Sequence, residues 1–111
     1  MNTEVTHPVA GTVVIRPSGR LNMVAAPDLR KLITGAVDEQ TSRVVVDLSD
    51  TEFIDSSGLG ALVAGLKAAR AAGGDLRIAA PTTQVLTALQ LTNLNRILKP
   101  YPTVGDCLAR L

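Results

Sequence analysis

A chain of 111 residues with 46% hydrophobic content can form one compact domain whose core needs no disulfide or metal. The formal charge of +1 comes from scattered basic residues and aromatics are only 2%, which excludes the basic footprint and stacking platform of a direct nucleic-acid binder and any pull toward an anionic membrane. A lone Cys107 excludes an internal disulfide, no apolar run reaches a membrane span, and "MNTEVTHPVAG" lacks the form of an export signal, so a soluble cytoplasmic protein is expected.

Two short strands are predicted around a turn at Ala10-Gly11, the second running from Thr12 to Arg16, with Pro17-Ser18-Gly19 breaking the pattern. A helix is expected from about Ala26 to Glu39. Pro27 suits its first turn, and Leu29, Leu32, Ile33, Ala36 and Val37 fall on one face. The β-branched run "RVVVDL", residues 43 to 48, reads as a buried central strand. A loop from Ser49 to Asp55 then leads into a second helix, about Ser57 to Ala72. Its apolar stripe is Leu59, Leu62, Val63, Leu66 and Ala69, its last turns carry Lys67 and Arg70, and Gly73-Gly74 stops it.

"DLRIAA" is a further strand, closed by Pro81, and Thr82 or Thr83 caps a third helix carrying Val85, Leu86 and Leu89. "RIL", residues 96 to 98, is expected as a short edge strand. "TVGDCLARL" reads as a last helix with Val104, Leu108 and Leu111 on one side and Cys107 packed within it. Strands alternating with helices imply right-handed crossovers and a mostly parallel sheet, to which the early hairpin adds an antiparallel edge. The expected architecture is a single α/β domain over residues 1–111, a small mixed sheet flanked by about four helices.

Sites in open α/β sheets lie beyond the carboxyl ends of the strands, and there the sequence places "EFIDSSGLGALVAGL", residues 52 to 66. A nucleophilic serine needs a base. The only histidine, His7, belongs to the first strand or its turn, and the elbow pattern G-x-S-x-G is absent. A dinucleotide fingerprint fails because Val63 stands where a third glycine belongs, and no G-K-[ST] marks a phosphate loop. Asp47, Asp50, Glu52 and Asp55 lack the spacing of a calcium loop, so no metal is expected.

Two compatible roles are left for Ser56 and Ser57. The plain one is helix capping. The other is regulation: a helix N-terminus accommodates phosphate, and a phosphoryl group adds about −1.5 to −2 charges to a neutral, glycine-lined surface. Gly58 and Gly60 would then let a partner approach the helix closely.

The stretch "VVVDLSDTEFIDSSGLGALVAGLKAARAAGGDLRIAAPTTQVLTALQLTNLNRIL" closely resembles the STAS domain of bacterial anti-sigma factor antagonists, with D-S-S-G-L-G as its most specific motif. With "GRLNMVAAPDLRKLI" included, the resemblance covers nearly the whole chain. It implies a non-enzymatic binding module. The unmodified protein would bind an anti-sigma factor, a serine kinase of the histidine-kinase-like ATPase fold, and so free a sigma factor. The kinase would phosphorylate the serine directly after the aspartate, here Ser56, and a PP2C-type phosphatase would reverse the step. Asp55, Ser57, Gly58, Leu59 and Gly60 would shape the docking surface.

Many phosphorylatable members carry G-x-L-D before the first helix, whereas "GRLN" places Asn22 there. Asparagine keeps the hydrogen-bonding shape and loses the charge, which implies slower phosphorylation than in an Asn22→Asp variant. The same fold also serves transporter tails, lipid-trafficking components and stress-sensing scaffolds. The alternatives are therefore a STAS scaffold or transport-complex subunit that is never phosphorylated, or a nucleotide-binding domain.

Overall fold

A computed structural model describes residues 2–110 and contains six strands and four α-helices. The strands are β1 (Asn2–Thr6), β2 (Thr12–Leu21), β3 (Arg43–Asp47), β4 (Thr51–Ile54), β5 (Asp75–Ala79) and β6 (Pro100–Tyr101); the helices are α1 (Ala26–Ala36), α2 (Ser56–Ala71), α3 (Thr83–Leu91) and α4 (Val104–Arg110). The sheet order is β1-β2-β3-β5-β6, with β4 paired to β2 off that path. Only β1 runs antiparallel to its neighbour; the other pairings are parallel, as the alternating pattern predicts.

The period of two sorts the strand side chains between two layers. Val13, Ile15, Val44, Val46, Leu76 and Ile78 face the main core under α1, α2 and α3, while Val14, Val45 and Ala79 meet Cys107 of α4 on the opposite face. Burial pushes the Cys107 thiol up to about 11, so it stays protonated and acts as a core group. Leu111, expected on the stripe of the last helix, lies outside the described residues.

Four expectations are corrected. The second strand does not stop at Arg16. It continues through Pro17-Ser18-Gly19, because its first part pairs with β3 and its last part with β4, with a register shift between Gly19 and Arg20. Such a shift bends a strand without ending it. The loop from Ser49 to Asp55 contains β4: Thr51 and Ile54 are buried, and the Thr51 hydroxyl donates to the Pro17 carbonyl at 3.0 Å.

The first helix ends at Ala36 rather than Glu39. Asp38 Oδ1 accepts from the Gln40 and Thr41 amides at 2.8 Å each, and this side-chain turn competes with helical bonding. Residues 96 to 98 form no strand. Asn93 takes a left-handed conformation (φ 59°), a 3₁₀ turn covers Leu94–Arg96, and Leu98 is buried in the core; the edge strand is Pro100–Tyr101.

Candidate functional site

The register of the parallel β2–β4 pair builds the site. Leu21 of β2 lies opposite Ile54 of β4, so the next residue on each strand, Asn22 and Asp55, emerges at the same sheet end. The Asp55 amide donates to the Leu21 carbonyl at 3.3 Å and extends the pairing. Two motifs about thirty residues apart are thereby joined. On the outer edge of β4, the Gln84 side chain of α3 acts as a peptide stand-in. Its Oε1 accepts from the Ile54 amide at 2.9 Å and its Nε2 donates to the Ile54 carbonyl at 3.2 Å. The Thr82 hydroxyl donates to the Thr51 carbonyl at 3.0 Å rather than capping α3. Edge groups satisfied in this way hold the strand that delivers Asp55.

Asp55 is the N-cap of α2, and both its oxygens are used. Oδ1 accepts from the Gly58 amide at 3.0 Å, and Oδ2 accepts from the Met23 amide at 3.1 Å. The capping role expected of the serines therefore belongs to Asp55. Ser56 is the first helical residue and is exposed, while Ser57 is half-buried. The bond to Met23 ties the Asn22–Ala25 turn against the start of α2. Met23 and Val24 of that turn are 71% and 80% exposed; Met23 lines a groove with Ser57 and Gly60, and Val24 lines the depression that holds Asp28, Asp50 and Glu52.

Asn22 organises that turn: its Oδ1 accepts from the Val24 and Ala25 amides at 3.1 and 3.3 Å, and its carbonyl accepts from Ala25 and Ala26. An aspartate accepts the same two bonds, so Asn22→Asp keeps the turn. Asn22→Ala removes them and is expected to destabilise the domain by about 1 kcal/mol, the usual cost of a lost side-chain cap. Urea titration of the purified variant measures it, and an unchanged midpoint excludes this role.

The motif glycines have different reasons to be glycine. Gly58 is buried, and a Cβ there would lie 2.4 Å from the Leu21 carbonyl oxygen and 2.7 Å from Ile54 Cγ1. It was expected on a docking rim; the structure instead gives it a packing role, letting α2 start directly on the ends of β2 and β4. Gly60 is exposed, and a Cβ there would meet nothing within 4 Å. Leu59 is 6% exposed and belongs to the main core, though it also floors a groove with Ser56, Gly60 and Val63. Of the expected docking residues, then, Ser56 and Gly60 face outward, Ser57, Asn22 and Asp55 are partly covered, and Gly58 and Leu59 are mostly interior.

His7 is exposed in the turn after β1. Thr6 pairs with Val14, seven residues before Leu21 on β2, so His7 stands roughly 25 Å of strand away from Ser56 and gives it no base. Sequence reasoning did not single out Met23 and Val24. Both precede the helix expected from Ala26 and carry no motif, and they lie in an exposed turn whose Met23 amide is held by Asp55. Among the described residues, no helix is long and apolar enough to cross a membrane, and no group of acidic, histidine or cysteine side chains is placed to hold a metal.

Comparison with known proteins agrees with this geometry. The family pattern described as the STAS domain matches residues 1–107. A Thermotoga maritima protein carrying the provisional name of anti-sigma factor antagonist is 33% identical over 90% of this chain and 89% of its own length. The crystal structure of an anti-sigma factor antagonist from Mycobacterium paratuberculosis superimposes with a TM-score of 0.84 at 32% identity, covering 98% of this chain and 92% of that one. The anti-sigma factor antagonist SpoIIAA, 22% identical in its unphosphorylated form, shares the fold with a TM-score of 0.83 over 98% of this chain and 95% of its own. Its phosphorylated form, at 21% identity, gives 0.75 over 98% of each chain. A β2–β4 pair that seats D-S-S-G-L-G at the head of α2, together with a family match over residues 1–107, shows that this chain belongs to the STAS domain family.

Proposed function

We propose that this protein is an anti-sigma factor antagonist whose unphosphorylated form binds an anti-sigma factor and so releases a sigma factor, and whose binding is switched off by phosphorylation of Ser56. The observation that carries this reading is the exposure of Ser56 at the head of α2 while Asp55 does the capping. Its hydroxyl is not needed by the helix; it opens on a groove with Leu59, Gly60 and Val63, and the exposed Met23 lies in the turn tied to the preceding Asp55. An apolar rim around a modifiable hydroxyl suits a surface that a partner covers in one state and rejects in the other. Relatives named as anti-sigma factor antagonists support the class of partner. That SpoIIAA exists in a phosphorylated form supports the mode of control.

In this reading the partner is a serine kinase of the histidine-kinase-like ATPase fold, which phosphorylates the antagonist that binds it, and a PP2C-type phosphatase resets the switch. The protein itself performs no catalysis and acts where the sigma factor does, in the cytoplasm. Ser56 is the acceptor rather than Ser57, because Ser57 is half-buried one residue further into the helix. Incubation with the kinase and ATP, followed by mapping of the modified residue, tests this. Phosphate on Ser56 is expected, and phosphate confined to Ser57 contradicts the assignment. With the same kinase, Asn22→Asp is expected to be modified faster than the parent protein, and equal initial rates exclude a role for charge at that position.

A further inference from the structure

Ser56 lines a groove whose charged members, Arg30 of α1 and Lys67 of α2, are both cations; no carboxylate lines it, and Thr92 and Leu94 also border it. Both cations are exposed. The four ion pairs among the described residues join Arg16 to Glu4 and Asp50, and Asp75 to Arg70 and Arg77, so neither Arg30 nor Lys67 is engaged. The acids at this end of the sheet, Asp28, Asp50 and Glu52, line a separate depression with Asn22 and Thr51. Asp55, next to Ser56, has both oxygens bound by backbone amides.

The two cations stand at different heights along α2. Lys67 follows Ser56 by eleven residues, about 16 Å along the helix axis, which puts its ammonium out of reach of a group on Ser56. Arg30 borders the first turns of α2. It lines the Ser56 groove and also the neighbouring groove with Met23, Ser57 and Gly60. Gly60 is shared by both grooves and sits one turn after Ser56 on the same helix face. A Cβ at Gly60 would touch nothing within 4 Å, so the helix face at Gly60, in the groove that Arg30 and Ser56 share, is open.

We propose that Arg30 is the internal receptor for a phosphate carried by Ser56, its guanidinium crossing over Gly60 to pair with the phosphoryl oxygens. The inference rests on the reading of Ser56 as the modified residue. Planar guanidinium donors match phosphate oxygens two at a time, which a lysine at this position does not. Modification would then alter the face twice: it adds a dianion and withdraws Arg30 from any partner. The openness left by Gly60, which packing does not require, acquires a function.

The test installs phosphoserine at position 56 during synthesis, so that no kinase is needed, and follows the phosphorus NMR shift against pH. A phosphoserine loses its second proton near pH 6, and a cation held beside it lowers that value. In low salt the Arg30→Gln protein is expected to titrate about half a unit higher than the parent. Arg30→Lys should fall between them, and Lys67→Gln should follow the parent. The helix N-terminus and Asp55 are common to all four proteins and cancel. The difference should shrink as salt is added, as for any partly exposed pair. Coincident titrations of the parent and Arg30→Gln overturn the proposal, as does a shift in Lys67→Gln as large as that in Arg30→Gln. Since the phosphate is built in, this outcome is independent of whether a kinase selects Ser56.

Discussion

Phosphoserine at position 56 is expected to weaken binding of the anti-sigma partner by a factor of roughly thirty to several thousand while leaving the domain folded. The helix tolerates the anion because Ser56 lies in its first turn, where free amides and the positive end of the dipole face solvent. The partner has no such compensation. It covers a surface whose exposed Met23 and Gly60 carry no charge and whose Arg30 the phosphate would occupy, so a dianion placed there must be desolvated or opposed. Disrupting a close interfacial contact with a charge typically costs about 2–5 kcal/mol, and about 1.4 kcal/mol corresponds to tenfold, which yields the range given. Ser56→Asp should reproduce part of the loss, having one charge and fewer oxygens. Ser56→Ala should bind constitutively and take no phosphate. Thermal melts separate the two routes to lost binding: a phosphoprotein that melts well below the parent would mean unfolding, not switching.

Alanine at Gly58 is expected to lower the melting temperature by roughly 10 °C or more, whereas alanine at Gly60 should leave it unchanged or raise it by a few degrees. At Gly58 the new Cβ would sit 2.4 Å from the Leu21 carbonyl oxygen and 2.9 Å from Leu21 Cγ. The first of these is backbone in a paired strand, so α2 as a whole must lift. Overpacking of this kind costs about 1–3 kcal/mol and sometimes more, and about 1 kcal/mol moves the melting point of a domain near this size by some 4–8 °C. At Gly60 nothing opposes the methyl group, and alanine exceeds glycine in helix propensity by about 0.5–1 kcal/mol. Calorimetric melts of the two variants check both signs. Equal destabilisation would show that α2 does not rest on Leu21 as described.

Much of this is legible in the amino-acid sequence. The alternation of β-branched runs with 3.6-period stripes specified the parallel sheet, and the D-S-S-G-L-G stretch falls at a strand end, as expected of it. Short elements were harder to read. β4 has four residues and begins Thr-Glu after the polar turn Ser49-Asp50, so its composition reads as loop; only pairing with the far end of β2 makes it a strand. Pro17 and Gly19 look like breakers, yet a shifted register absorbs them. The roles within the motif were also hidden. Which of Asp55, Ser56 and Ser57 caps the helix depends on backbone angles at one residue. Whether Gly58 or Gly60 faces inward depends on where α2 lands on the sheet. Met23 was invisible for a similar reason: the turn that exposes it is held by a bond to Asp55, thirty-two positions away.

The most direct measurement is a pair of calorimetric titrations of one anti-sigma kinase with the unmodified protein and with the protein carrying phosphoserine at position 56. Tight binding of the unmodified form, and a dissociation constant raised by roughly thirty-fold or more in the phosphorylated form, is the predicted result. Equal affinities for two folded forms would contradict the switch at Ser56.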